Sequence, residues 1–513
     1  MPEAGIEAKP GMRALKTLSN NIKFNAISQI AAFAVNFALL PFIVSHTGAE
    51  IYGAYILVVT FTGYLGLMDL GVGGATIKYI AEFSSKGDGN KVSQILSASL
   101  TFFTAIGIIS ALVLFALSFC FDLFFKVDAY NKVIIRQLFQ VAAVASFFIW
   151  PGRIFDYALQ GFQRYDRFAG NNIIFTALIG ISAYVVFAND MGIVCYLAVS
   201  SLLTVLKYFS AFLIVNGGMI KERLIFPYFN KGIIKVIFDF SLYTFISSLA
   251  GILIFNVDSI IIGSFVSVAA VTVYNVGYNM QQGLRMLNSL IGGPLFPAYV
   301  EMESRNEFER QKNILFKGTK YLGYVFVPMV MIAIVFAKPF ITYWMGDAFI
   351  SAVLPAQILI SFWFFNIFFE VGSGMLSAKG FVKIICAFMV LNALANLVLS
   401  LTLVRFMGIT GVALGTTIPM VLIYCPLIIR KVFKVFKITG AQYFHLAVKR
   451  NAAMILLAAG AATGIYGLYP PHNLLTVIFE MGIAYAISIF AGYRFLFPKG
   501  ERTELRAIIG FKT

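Results

Sequence analysis

The chain reads as an all-α integral membrane protein of about fourteen transmembrane helices, in two six-helix halves related by a pseudo-two-fold axis along the membrane normal, plus a C-terminal helix pair. Three observations lead there. Between Asn20 and Pro498, apolar runs alternate with short breaks carrying Gly, Pro, Asn or charge. Each run holds about twenty residues, and at about 1.5 Å rise per residue that length just crosses a hydrocarbon slab of roughly 30 Å. Hydrophobic residues make up 60% of the 513 and charged residues only 12%, against roughly one-quarter charged in soluble domains. Such a chain has little polypeptide left for a soluble catalytic domain. The cations, finally, follow the breaks. With both termini inside, most of the 39 Lys and Arg fall in inner segments, and only Lys126, Lys132, Arg136, Lys338 and Arg405 fall in outer ones. This is the positive-inside pattern for an even number of spans.

Taken in order, the segment 1–23 carries Lys9, Arg13 and Lys16 but no apolar core of a secretory signal, so it is expected to remain as a cytoplasmic segment. An N-terminal lobe, 24–216, holds spans near 24–45, 51–83, 95–120, 135–160, 171–188 and 192–215. A cytoplasmic linker, 217–234, leads to a C-terminal lobe, 235–433, with spans near 235–263, 268–300, 315–343, 352–377, 381–405 and 409–433. After a second linker, 434–445, the region 446–496 holds the extra pair, near 446–468 and 473–496, and 497–513 is a cytoplasmic tail. The 53 Phe suit a lipid-facing surface.

Composition and motifs also exclude function classes. The net charge of +16 is spread over separate inner segments instead of one face, which argues against a nucleic-acid partner. Cys120, Cys195, Cys386 and Cys425 lie in or at the edge of spans, where neither a disulfide framework nor a zinc site is expected. His46, His445 and His472 are too scattered to hold a metal. The chain lacks a Gly-x-x-x-x-Gly-Lys-Ser/Thr loop to cradle ATP phosphates. No cofactor is expected, and the chain reads as a non-enzyme.

An internal repeat supports the two halves. Met191-Gly192-Ile193 with Ser200-Ser201 is echoed by Met407-Gly408-Ile409 with Thr416-Thr417, and Tyr52-Gly53-Ala54-Tyr55 by Tyr274-Asn275-Val276-Gly277-Tyr278. Tyr52-Gly53-Ala54-Tyr55, with Gly66-Leu67-Met68-Asp69-Leu70-Gly71-Val72-Gly73-Gly74 and Lys78-Tyr79-Ile80-Ala81-Glu82, resembles the second-helix signature of bacterial polysaccharide flippases. These belong to the multidrug/oligosaccharidyl-lipid/polysaccharide exporter superfamily. Asn256-Val257-Asp258-Ser259-Ile260-Ile261-Ile262-Gly263 resembles that family's seventh helix, and the run from Met407 to Gly415 its twelfth. The resemblance implies a protein of the cell inner membrane with two lobes in a V. It would move undecaprenyl-pyrophosphate-linked oligosaccharide to the outer leaflet by alternating access, with or without ion coupling, among membrane lipids and other polysaccharide assembly proteins. A drug/cation antiporter of the same superfamily is the rival reading. A membrane-embedded polymerase or glycosyltransferase is a distant one, since every loop is short.

Polar residues within spans are the candidates for function, because an ionisable group at a helix centre costs at least roughly 2.5–3.5 kcal/mol on insertion scales and must face a cavity or a partner. Tyr274, Tyr278, Gln281, Arg285, Asn288 and Gly292 follow at helical steps and form one stripe. Hydroxyls and amides can bind sugar there, and the guanidinium fork can bind phosphate oxygens; an interhelical seam is the structural alternative. Asn25, Gln29, Phe33 and Asn36 make a similar uncharged stripe on the first helix, open to the same two readings. Lys207 is either a second cation of the path or a snorkelling residue. Arg153 and Asp156, three apart after Pro151, are expected to pair with each other. Asp69 with Gly71, Gly73 and Gly74 reads as a structural or hinge element, as does Asp258 beside Asn256 and Ser259. Glu370, with Trp363, Asn366 and Ser373 on its face, is the candidate for ion coupling.

This topology makes a direct prediction. A cysteine introduced in the loop near Asp190 reacts with an impermeant thiol reagent on intact cells, and one near Lys312 reacts only after the membrane is opened. The reverse labelling pattern overturns the orientation.

Overall fold

The computed structural model describes residues 10–125, 129–220, 224–228, 230, 232, 257–498, 500 and 502. The expected seventh helix lies outside the described residues as far as Asn256, as do residues 1–9, part of the linker 217–234 and the tail beyond 502. The chain divides into two compact units, one of Met1–Ile252 with Ser267–Thr272, the other of Leu253–Val266 with Val273–Thr513. The described residues are almost all helical, and ten of their helices are long and apolar enough to cross a membrane. Two of those ten, Lys23–Asp69 with 47 residues and Val382–Phe436 with 55 residues, exceed twice the length one crossing needs.

In the first unit, α1 (Pro10–Leu65) is two helical stretches joined at Gly48, whose φ of 75° and ψ of 166° break the helical course. Its start at Pro10 puts helix where a cytoplasmic segment was expected. The second expected helix, 51–83, is also interrupted. A short 3-10 turn, Gly66–Asp69, ends in left-handed Leu70 and Gly71, and α2 (Val72–Ser85) starts afresh. The break is stable because the Asp69 carboxylate accepts a hydrogen bond from the Gly73 amide at 2.9 Å, meeting an otherwise orphaned donor in the first turn of α2. Helices α3 (Gly89–Cys120), α4 (Ala129–Gly161), α5 (Tyr165–Ala188) and α6 (Gly192–Asn216) complete the unit. Its core is apolar, built on Ile95, Leu96, Phe103, Trp150, Ile154, Ala158 and Val215 from α3, α4 and α6. Small residues let the backbones close up: a Cβ on Gly152 would lie 2.6 Å from the Tyr208 side chain, and one on Gly53 would lie 2.0 Å from the carbonyl oxygen of Val268.

The second unit begins with the described part of α7, residues 257–265, and continues with α8 (Val268–Ser304), whose first residues count with the first unit. Then come α9 (Phe308–Val335), α10 (Ala337–Met345), α11 (Val353–Ala378) and α12 (Val382–Pro419). Helix α12 is a hairpin about Gly408, where φ is 55° and ψ is −133°. Positions on either side meet in mirror order: a Cβ on Gly411 would lie 2.3 Å from the Leu403 carbonyl oxygen, and one on Gly415 would lie 2.6 Å from the Ser400 nitrogen. Small residues spaced four apart thus allow the two arms to touch backbone to backbone. The repeated Met-Gly-Ile triplets share this backbone feature, since Gly192 also has positive φ, 78°. After a π-helical turn follow α13 (Cys425–Phe436), the short α14 (Gly440–Tyr443), α15 (Lys449–Leu468) and α16 (Leu474–Ala491).

The last two helices are fastened to α9. Asn451 of α15 sits where Gly323 has no side chain, Tyr485 of α16 donates to the Val325 carbonyl at 3.3 Å, and Tyr324 donates to the Ile489 carbonyl. Ile332, Phe336, Ala462, Val477 and Ala484 form the apolar core of this corner.

The hairpin in α12 can be tested by thermal unfolding in detergent. Gly411→Ala forces the arms apart and lowers stability by about 1–3 kcal/mol. Gly460→Ala, on α15 where an added Cβ meets nothing within 4 Å, leaves stability unchanged or raises it by up to about 1 kcal/mol.

Candidate functional site

Helix α8 carries the expected polar stripe, and the structure divides it. Tyr274 and Gln281 are buried, Tyr278 and Asn288 are half-buried, and Arg285 is exposed. The Arg285 guanidinium lies 3.4 Å from the side-chain oxygen of Gln282 and bears on the Tyr278 hydroxyl. One helical turn further on, Asn288 reaches the carboxylate of Glu370 on α11, to which Asn366 also donates at 3.2 Å. The stripe and the expected coupling residue are therefore joined side chain to side chain.

The buried end of the stripe leads to a second carboxylate. Asp258 on α7 is 2% exposed, and its Oδ2 accepts hydrogen bonds from the Tyr274 hydroxyl and, at 2.9 Å, from Thr416. Thr416 in turn accepts from the Asn396 amide at 2.9 Å. Asn392, Asn396 and Ser400 stand at successive turns along one face of the first arm of the α12 hairpin, all fully buried. Asp258 Oδ1, Asn396 Oδ1, Ser400 Oγ and both amide atoms of Asn392 have no hydrogen-bond partner among the described residues. Each such group costs about 1–3 kcal/mol when left unmet. Of these, the unmet oxygens of Asp258 and Asn396 belong to side chains bridged through Thr416, and oxygens are the ligands a hard cation takes.

Sequence reading placed Asp258 among structural residues; the helical spacing of Asn392, Asn396 and Ser400 inside an apolar run was the signal available for finding its neighbours.

The first unit holds a separate polar cluster. Lys207 on α6 pairs with Asp156 on α4 at 3.2 Å, both largely buried, and also donates to Asn172 at 3.1 Å. Asn171 donates to the Lys207 carbonyl at 2.9 Å, tying α5 to the same place. The direct ion pair of Asp156 thus runs between helices to Lys207, while Arg153 acts on the same carboxylate only at longer range. The close approach of α6 at Gly152 brings Lys207 across to Asp156, while Arg153 stacks 5.0 Å from the Trp150 ring and bears electrostatically on Tyr157, Tyr208 and Asp69. The remaining oxygen of Asp69 accepts from the Tyr157 hydroxyl at 3.0 Å, and a Cβ on Gly73 would strike the Tyr157 ring. Gly71 supplies the positive φ of 81° at the break, whereas Gly74 faces open space. Lys207 is therefore paired with Asp156 across helices.

The stripe on α1 engages few partners. Asn25 is half-buried, Gln29 and Asn36 are exposed, and Asn36 donates back to the Ala32 carbonyl of its own helix at 2.9 Å.

Comparison with known proteins places this arrangement. The sequence profile of the polysaccharide biosynthesis protein family matches residues 48–354, more than half of the chain. The chain belongs to this family. A Shigella flexneri protein named "Putative O-antigen transporter" is 21% identical over 387 residues, which cover 75% of this chain and 90% of that one. Among solved structures, the lipid II flippase MurJ in an inward closed conformation superposes with a TM-score of 0.67 at 15% identity, covering 92% of this chain and 99% of its own. An inward-facing multidrug resistance MATE family transporter of the MOP superfamily superposes with a TM-score of 0.65 at 13% identity, covering 81% of this chain and 99% of its own. The fold is that of these multi-span transporters. The segment typical of polysaccharide biosynthesis proteins holds Asp69, Arg153, Asp156, Lys207, Asp258, Tyr274 and Arg285; Glu370, Asn396 and Thr416 lie beyond it.

The Lys207–Asp156 pair sets up a double-mutant cycle. Lys207→Met or Asp156→Asn alone unbalances the buried pair, most severely where Lys207→Met leaves the Asp156 charge uncompensated, and costs up to about 3–5 kcal/mol. The joint replacement Asp156→Asn with Lys207→Met recovers most of that loss, as read from thermal unfolding of the purified protein. Additive losses in the joint variant refute the pairing.

Proposed function

We propose that this polysaccharide biosynthesis protein flips a lipid-linked oligosaccharide, carried on a polyprenyl pyrophosphate, from the inner to the outer leaflet of the cytoplasmic membrane, by alternating access and with both termini inside. The observation that carries the reading is Arg285, an exposed guanidinium on α8 beside Tyr278 and Gln282. A planar fork of donors fits phosphate oxygens, and neighbouring hydroxyl and amide groups fit sugar. A drug-cation antiporter of the same fold is the rival reading, and the positive charge of Arg285 on the α8 stripe argues against a cationic substrate there.

Export is coupled, in this reading, to an alkali cation bound by the oxygens around Asp258. Glu370, linked to the α8 stripe through Asn288, is the other candidate for the coupling group.

One set of variants tests both parts in cells making a surface polysaccharide. Arg285→Ala abolishes the surface polymer at unchanged protein abundance and membrane insertion. Arg285→Lys keeps partial export, because the charge survives without the bidentate fork. Asp258→Asn removes the dependence of transport on a sodium gradient in proteoliposomes, and Glu370→Gln retains it. Normal export by Arg285→Ala sinks the anion path. A sodium dependence lost in Glu370→Gln and kept in Asp258→Asn moves the coupling role to Glu370.

A further inference from the structure

We propose that the groove between α15 and α16 binds a membrane phospholipid bearing a primary ammonium headgroup, held by Glu480 and His472. The groove has a volume of about 740 Å³, within the roughly 300–1,000 Å³ of ligand pockets. Its walls are apolar, with Ile465, Leu468, Phe479, Ile483 and Ile487 facing one another along the helix pair. The neighbouring stripe of α16, with Val477 and Ala484, is already committed to the core against α9.

A carboxylate interrupts this wall. Glu480 lines the groove, is 7% exposed, and its Oε2 has no hydrogen-bond partner among the described residues. A carboxylate at such depth needs a donor. Within a bilayer, the abundant cationic donor with an attached hydrocarbon tail is the ammonium of an aminophospholipid. A choline headgroup carries charge but no N–H, and an anionic headgroup is repelled.

The dimensions suit the headgroup. Leu474 to Glu480 spans about 9 Å of helix axis at about 1.5 Å per residue, so with the start of α16 at the membrane surface Glu480 reaches the boundary between headgroups and acyl chains, roughly 5–10 Å deep. His472 stands exposed at the mouth beside Tyr469 and Pro470, and its imidazole can donate to the lipid phosphate. An acyl chain then lies along the isoleucines below.

The test uses the full chain in nanodiscs of equal parts phosphatidylethanolamine, phosphatidylcholine and phosphatidylglycerol of identical acyl chains, with retained lipids read by native mass spectrometry. The wild type retains phosphatidylethanolamine in preference to the other two. Glu480→Gln cuts that preference by about tenfold, the contribution of one charge-assisted hydrogen bond. Ile483→Trp, which fills the groove, reduces retention of all three lipids. Equal retention of the three by the wild type, a preference unchanged in Glu480→Gln, or crosslinking from Phe479→Cys to a protein instead of lipid overturns the proposal.

Discussion

The hydrocarbon interior of a membrane offers no water to a stranded polar group, and the arrangement of this protein follows from that constraint. Its helices satisfy their own backbones, so what remains to be settled is the fate of polar side chains. Asp69 caps a helix and takes a tyrosine hydroxyl, Asp156 takes a lysine, and Asp258 takes a tyrosine and a threonine. In each case a glycine or another small residue brings the partners' backbones near enough. Gly73 sits beside Tyr157, Gly152 beside Tyr208, and Gly415 beside Ser400. Packing and polar satisfaction are therefore solved together, and the glycines that look like mere flexibility in the sequence are points of contact.

Much of this is legible in the chain itself. The apolar runs and their breaks locate most of the membrane-capable helices, because the length needed to cross a bilayer is fixed by helix rise, but the expected span 268–300 is not among those ten, its polar stripe lowering its hydropathy. The repeated Met-Gly-Ile triplets mark two positions of positive φ, Gly192 and Gly408, which a single letter pattern reveals. What escapes is partnership across distance. Arg153 and Asp156 are neighbours on one helix, and local spacing alone pairs them; only the approach of α6 delivers Lys207 instead. Asp258 and Thr416 are far apart in sequence, so no periodicity joins them. The interruption of the second helix at Leu70 is legible only in part, as a structural or hinge element at Asp69, Gly71, Gly73 and Gly74. Gly71, Gly73 and Gly74 signal freedom, but the side chain that exploits it, Asp69, must be seen capping Gly73 before freedom becomes a break.

The two units differ in how they hold charge. In the first, acid and base are matched across helices, so its polar cluster is close to neutral and internally complete apart from one oxygen of Asp156. The second contains an exposed guanidinium on α8, two buried carboxylates and a file of unmet amide and hydroxyl atoms on α12. An internally satisfied cluster serves as scaffold, whereas one with open valences is disposed to take a ligand.

The hairpin at Gly408 bears on how the chain folds. Its arms turn about a single glycine and touch from Leu403 to Gly411, leaving almost no loop between them. Neither arm alone can hide Asn392, Asn396 and Ser400 from lipid, since the second arm supplies their cover and carries Thr416 as the partner for Asn396. The two arms therefore have to lie side by side before these groups find their partners, so this part of the chain folds as a pair of helices and not as one helix after another.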